Sequence, residues 1–281
     1  MNERILMAIL VIVGTFLSLP KDSIFAHSIV SRSYQSSYSD AIAENLVLYY
    51  PFNDEPQGGI VEDHSGNGNH GIVQSDGPIF ITDGKVGAGA YLFDGQDDYI
   101  FVQNNGSLNL GNQLTLAAWY NTTDPPGPSE NQGPIITWND ELIPTSTGVH
   151  MWINTIGFQW GGLGTGANLI GTDDNDINYV ISTEDQSIKT WHHLVVTYDG
   201  STDTAKAYVD GILKNERILG MIPAIPQTNY PLFIGARGGF EPWFKGRLDE
   251  IRIYNRAISQ AEVLELFEAE TRVIYLPIIL K

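Results

Sequence analysis

The chain of 281 residues contains no cysteine. Disulfides, thiolate metal sites and catalytic thiols are thereby excluded, so stability must come from a packed core. Positive charge is scarce: 15 Lys and Arg stand against 33 Asp and Glu, a formal charge of −18. Such a surface repels phosphate backbones and no basic cluster offsets it, which excludes nucleic acid as a partner. Divalent cations and neutral ligands remain. Only 17% of residues are charged against 42% hydrophobic, so most of the chain is not intrinsically disordered. Long apolar runs are also missing, with one exception at the N-terminus. There Arg4 precedes the apolar run Ile5–Leu19, Pro20 breaks it, and Ser23–Ala26 offers a small residue for cleavage. That order predicts a secretory signal peptide over 1–26. The alternative, an uncleaved anchor, conflicts with a run shorter than the ~20 residues a bilayer needs. Cleavage would remove Glu3 and Asp22 together with Arg4 and Lys21, leaving the charge unchanged.

What the sequence has in quantity is turn formers, 29 Gly and 14 Pro among them, and short β-prone runs between them. After a flexible leader over 27–45, runs at Leu46–Tyr50, Ala90–Phe93, Asp98–Val102, Leu114–Tyr120, Ile135–Trp138 and Val149–Ile153 read as strands. Further runs are Gly157–Trp160, Trp191–Tyr198, Thr204–Val209, Ile212–Asn215, Leu232–Ile234 and Arg247–Tyr254. Asp210-Gly211 between two of these predicts a type I′ hairpin, whose central residues both need positive φ. Strands at short spacing with little helix between them predict an all-β sandwich of two antiparallel sheets. One short C-terminal helix is signalled by a Ser259/Glu262 capping box and an Ile258/Val263 staple, with Leu264 and Phe267 continuing its apolar face. It is expected to seal an edge of the sandwich. The tail over 271–281 is too short to span a membrane.

Several segments occur in an order that resembles the laminin-G-like, concanavalin A-like jelly-roll family of exported bacterial proteins. They are Leu48–Phe52, Asp63–Gly71, Gly89–Gly95, Leu116–Trp119, Trp191–Gly200, Tyr208–Gly211 and Gly246–Ser259. The resemblance covers roughly 46–270 and implies a two-sheet jelly roll, in agreement with the strand reading. It implies no reaction, because that fold hosts lectins, adhesion modules, structural domains and glycosidases.

The loop Asp63–His70 (DHSGNGNH) is the most site-like stretch. Calcium takes six to eight oxygen ligands, and Asp63, Asn67 and Asn69 offer side-chain oxygens while the glycines let backbone carbonyls converge. In the family it resembles, this loop lies near a bound calcium together with the Asp of the Leu-Asp-Glu segment, here Asp249. The competing reading is an Asn-Gly turn that binds nothing. His64 and His70 raise a transition metal, which the hard oxygen neighbours disfavour. Asp173–Asp176 and Asp97-Asp98 read as solvated turns.

Sugar rings stack their C–H faces on indoles, so the tryptophans are the candidate carbohydrate platform. Trp119 and Trp191 lie in hydrophobic strand motifs and are expected in the core. Trp138, Trp160 and Trp243 flank polar or Gly-rich loops and are expected to be exposed, with Asp140 as a polar neighbour. Catalysis is not expected. Jelly-roll glycosidases carry Glu-x-Asp-x-x-Glu, which is absent, and the neighbours Asp249 and Glu250 would point to opposite faces of a strand. His192-His193 invites a triad, yet no Gly-x-Ser-x-Gly elbow accompanies it. The sequence thus predicts a secreted or cell-surface binding module for a glycan or glycoprotein, with a structural calcium. The alternatives are a structural or protein-adhesion domain of the cell envelope and, behind it, a divergent glycosidase.

Overall fold

The computed structural model describes residues 42–74, 76–123, 133–138, 149–153, 187–218 and 228–271. The expected signal segment, the leader up to 41, the run Gly157–Trp160, the Asp173–Asp176 turn, the tail beyond 271, and Asp140 and Trp160 lie outside the described residues. The strands are β1 (Leu46–Tyr50), β2 (Ile60–Val61), β3 (Gly71–Gln74), β4 (Ile79–Ile81), β5 (Ala90–Asp94), β6 (Tyr99–Val102), β7 (Gln113–Thr122) and β8 (Pro134–Trp138). There follow β9 (His150–Trp152), β10 (His192–Asp199), β11 (Thr204–Val209), β12 (Ile212–Ile218), β13 (Leu232–Ile234), β14 (Ala236–Arg237), β15 (Phe240–Trp243) and β16 (Lys245–Tyr254), then helix α1 (Gln260–Thr271).

Two antiparallel sheets form the sandwich. One runs β12-β11-β10-β7-β16-β5-β4, with β1 also paired to β16; the other runs β2-β3-β6-β13-β8-β9. The expected alternation in β7 holds. Leu114, Leu116, Ala118 and Tyr120 enter the core between the sheets, and Ala117 and Trp119 face the other way. The hairpin β11–β12 turns on Asp210 (φ 51°) and Gly211 (φ 75°), both in the left-handed region that a type I′ turn requires. The short link between β5 and β6 is no hairpin. β5 pairs with β4 and β16, and β6 with β3 and β13, so residues 95–98 carry the chain from one sheet to the other.

Helix α1 begins with the predicted reciprocal cap. The Ser259 N–H donates to Glu262 Oε2 at 2.7 Å, and the Glu262 N–H to Ser259 Oγ at 3.3 Å. It covers a face rather than an edge. Ile258, Val263 and Leu266 pack on Ala117, Val195, Tyr208 and Tyr254 of the eight-stranded sheet, while Leu264 stays 42% exposed. Phe267 stacks on Trp119 at 5.6 Å, and Trp119 on His193 at 5.0 Å. The last residues of the expected leader are also docked: Ile42 packs beside this cluster, and the Asn45 carbonyl accepts the Asn255 N–H. No helix among the described residues is long and apolar enough to cross a membrane.

Candidate functional site

The Asp63–His70 loop closes on itself. Asp63 is buried, and its Oδ1 accepts the N–H groups of Tyr49 (3.0 Å) and Ser65 (2.9 Å). Its Oδ2 accepts Ser65 Oγ–H (2.8 Å) and the Asn69 N–H (2.9 Å). Those four bonds use all the lone-pair positions a carboxylate has. Asn67 and Asn69 turn their amide N–H groups onto the strand preceding the loop. Asn67 Nδ2 donates to the Leu46 carbonyl at 2.9 Å, Asn69 Nδ2 to the Val47 carbonyl at 2.8 Å, and Asn69 Oδ1 accepts from Ser107. Gly66 (φ 88°) and Gly68 (φ 72°) supply the left-handed turns that make this closure possible. Burial, with the Asp63 charge behind it, pushes the Tyr50 hydroxyl well up, so it stays a donor to the Asn69 carbonyl.

Asp249 has separate partners. It is fully buried in β16, where Oδ2 accepts the Lys85 and Val86 N–H groups at 2.9 Å and Oδ1 the Glu250 N–H at 2.8 Å. Burial, followed by the Glu250 charge, pushes its carboxyl up to about 8. Among the described residues no hydrogen bond joins it to the Asp63 loop. The link is Tyr49, whose N–H goes to Asp63 and whose hydroxyl donates to Glu250 at 3.0 Å. Asp63, Asn67, Asn69 and Asp249 therefore do not form one oxygen cage, and this donor set does not fit calcium.

The expectation that Asp249 and Glu250 diverge is corrected by a β-bulge. β16 pairs Asp249 with Trp119 and Arg252 with Ala117, so two of its residues oppose Ala118, and Glu250 takes φ 53°. Both carboxylates consequently lie on the outer face, Glu250 bonded to Tyr49 and to Arg252, whose guanidinium sits 4.3 Å over the Tyr49 ring.

The tryptophans also depart from expectation. Trp138 is fully buried between the sheets, because it shares its strand face with Ile136 and opposes Leu232. Trp191 is half-buried. Trp243 is half-buried on the outer side of the six-stranded sheet and stacks on Tyr99 at 5.8 Å. Near it Asp94, Asp97 and Asp98 bring their oxygens within 4.8 Å of one another, and burial pushes Asp98 up.

Beside the satisfied loop lies a groove that the sequence did not reveal. Its volume is about 540 Å³, and its floor is Phe52, Val61 and Tyr91, all buried. Phe52 adopts φ 48°, which lays its ring on Tyr91 at 4.3 Å. The rim carries Asp54, Glu55, Glu62, His64 and His70, all exposed. His70 Nδ1 accepts the Asp63 N–H at 3.1 Å, which fixes the tautomer with its proton on Nε2. Among the described residues the three rim carboxylates take no hydrogen bond, and no Lys or Arg lines the groove. Only Asp63–His70 was visible as a motif; the groove forms because Pro51–Gln57, distant in pattern, folds over it.

No curated protein is significantly similar to the chain in sequence. Its fold is similar to the binding domain of Paraclostridial Mosquitocidal Protein 1 (TM-score 0.57, 19% identity, 81% of this chain and 53% of that one). It is also similar to domain 4 of AbnA, a GH43 extracellular arabinanase from Geobacillus stearothermophilus, in complex with arabinotriose (TM-score 0.54, 19% identity, 79% and 98%). A third likeness is to the receptor binding domain of botulinum neurotoxin mosaic serotype C/D (TM-score 0.57, 13% identity, 81% and 51%). The chain spans about half the length of the two toxin domains and nearly all of the arabinanase domain. At these identities the likeness is one of fold. The family model for the concanavalin A-like lectin/glucanases superfamily, of laminin-G type, matches residues 94–264, more than half of the chain, and to that superfamily the protein belongs.

Proposed function

We propose that the protein is an exported binding module that recognises a neutral glycan, free or on a glycoprotein, at the groove between Pro51–Gln57 and the Asp63 loop. The observation that carries this is an aromatic floor under a polar rim whose carboxylates have no protein partner among the described residues. Pockets of about 300–1,000 Å³ with an apolar base and a few convergent polar groups suit small ligands. Carboxylates accept sugar hydroxyls, and the tautomer of His70 leaves Nε2–H to donate. The acidic rim disfavours phosphates and uronates. The arabinotriose bound to the AbnA domain supports a sugar ligand by analogy of fold alone. The charged, apolar and small-residue order of 1–26 supports export. Calcium has no part in this reading.

The full chain is expected to be retained on an immobilised neutral polysaccharide equally in calcium and in EDTA, and His64→Ala to weaken retention. Retention that His64→Ala leaves intact would move the ligand elsewhere. The second reading, protein adhesion, is favoured by Ile60 and Ile72, cross-strand partners on the outer face that are 50% and 46% exposed. Retention on deglycosylated protein but on no polysaccharide would select it.

A further inference from the structure

His192 opens β10 with its side chain only 10% exposed. Its Nδ1 lies 2.9 Å from Asp210 Oδ2, and its Nε2 lies 3.0 Å from Ser187 Oγ. Asp210 cannot swing away. It sits in the type I′ turn, and its Oδ1 accepts the His193 N–H at 2.9 Å. The hydrogen bonds from His192 and His193 outweigh the effect of burial and hold the Asp210 carboxyl below its ordinary value. An ionised Asp210 places the imidazole proton on Nδ1 and leaves the Nε2 lone pair facing the Ser187 hydroxyl. The turn carrying Ser187 is pinned in turn, since the Lys189 N–H donates to the Thr122 carbonyl at 2.7 Å. Ser187 is exposed, and its own carbonyl lies 3.1 Å from Nε2, placed to accept a hydrogen bond once that nitrogen is protonated.

We infer that Ser187, His192 and Asp210 form a nucleophile, base and orienting carboxylate, and that Ser187 accepts acyl groups from small carboxylic esters. A serine five residues from its histidine needs no nucleophile elbow, which is why the sequence pattern conceals it. In the first step Ser187 Oγ attacks the ester carbonyl carbon while its proton passes to His192 Nε2. The carbon–alkoxy bond then breaks and the same proton leaves with the alcohol. Water, giving a proton to the freed Nε2, attacks the serine ester; the bond between the acyl carbon and Ser187 Oγ breaks, the proton returns from Nε2 to Oγ, and the carboxylic acid is released. General-base assistance is worth about 10²–10⁴-fold, which suits esters with good leaving groups. The inference does not rest on the glycan reading, because no glycan takes part in the chemistry.

The test is labelling of the full chain with an alkyl fluorophosphonate. The Ser187 oxygen–phosphorus bond forms, the phosphorus–fluorine bond breaks, and fluoride leaves with the serine proton. Ser201 is an internal control: it is likewise exposed and bonded to the Asp199 carboxylate at 2.7 Å, with no imidazole on its hydroxyl among the described residues. Peptide mapping is expected to show Ser187 modified on the order of 100-fold faster than Ser201, with His192→Gln removing the difference. The wild type is also expected to hydrolyse p-nitrophenyl acetate, and Ser187→Ala to lose that hydrolysis. Equal rates at the two serines in the wild type would overturn the inference, whether or not the histidine variant folds. So would undiminished labelling of Ser187 in a folded His192→Gln protein.

Discussion

The Asp63 loop and the groove beside it share His64 and His70, yet their polar groups are used in opposite ways. In the loop, Asp63 takes four hydrogen bonds and the Asn67 and Asn69 amides cap strand β1. On the groove rim, Asp54, Glu55 and Glu62 point at solvent and at no protein donor among the described residues. His70 belongs to both, one nitrogen in the loop and the other toward the groove. Buried polar groups must be paired to be tolerated, whereas exposed ones can stay open for a ligand. The motif that looks most like a site is therefore scaffold, and its unremarked neighbours are the binding candidates.

Breaking the scaffold side should have the largest effect. Asp63→Ala strands the buried N–H group of Asn69 and the half-buried one of Tyr49, and we expect a loss of roughly 3–4 kcal/mol in urea unfolding. A loss under ~1 kcal/mol would show that the loop is not held from within. Acid comes next, through another buried polar group. Burial first, then the Arg252 and Lys85 cations, pull the His193 imidazole down to about 3. The unfolded chain takes up that proton near an ordinary histidine value of ~6.5, so stability falls as pH drops between these two values. By pH 5 the loss expected from this group is about 2 kcal/mol, and His193→Gln should flatten that part of the profile. On the rim the response should invert. Glu62→Gln is expected to change stability by less than about 0.5 kcal/mol while weakening glycan binding about tenfold, or ~1.4 kcal/mol by titration calorimetry. Smallest of all is the response to calcium. With the Asp63 oxygens fully engaged, replacing EDTA by calcium should leave the melting temperature where it is, and a rise of several degrees would restore a metal to the loop.

Much of the fold could be read because β-strands repeat every two residues and their turns carry their own chemistry. The alternation of Leu114–Tyr120, the Asp210-Gly211 hairpin and the Ser259/Glu262 cap needed no tertiary information. Features set by tertiary partners could not be read. Trp138 looked like a loop-side indole, and only the register of β8 against β13 sends it inward. The Gln96-Asp97 link reads as a short polar connection between two strands, and nothing local in it says that its flanks join different sheets. Leu264 fits the helical period, yet the face it lies on is partly open to solvent because the sheet beneath ends at the Gly211 turn. The site was less legible than the fold, since the groove is made by segments with no shared motif. The Ser187–His192–Asp210 contact likewise depends on a turn and a hairpin meeting.

Glu250 is one residue more than its strand needs. Without it, Leu248, Ile251 and Ile253 would still face the core, and Asp249, Arg252 and Tyr254 the outer face, because the slip it introduces is one residue long. The position thus marks a change of chain length that the fold absorbs without rewriting its hydrophobic code. A relative one residue shorter in β16 would share the same architecture, and its alignment gap would belong inside the strand, at Glu250, where gaps are least expected.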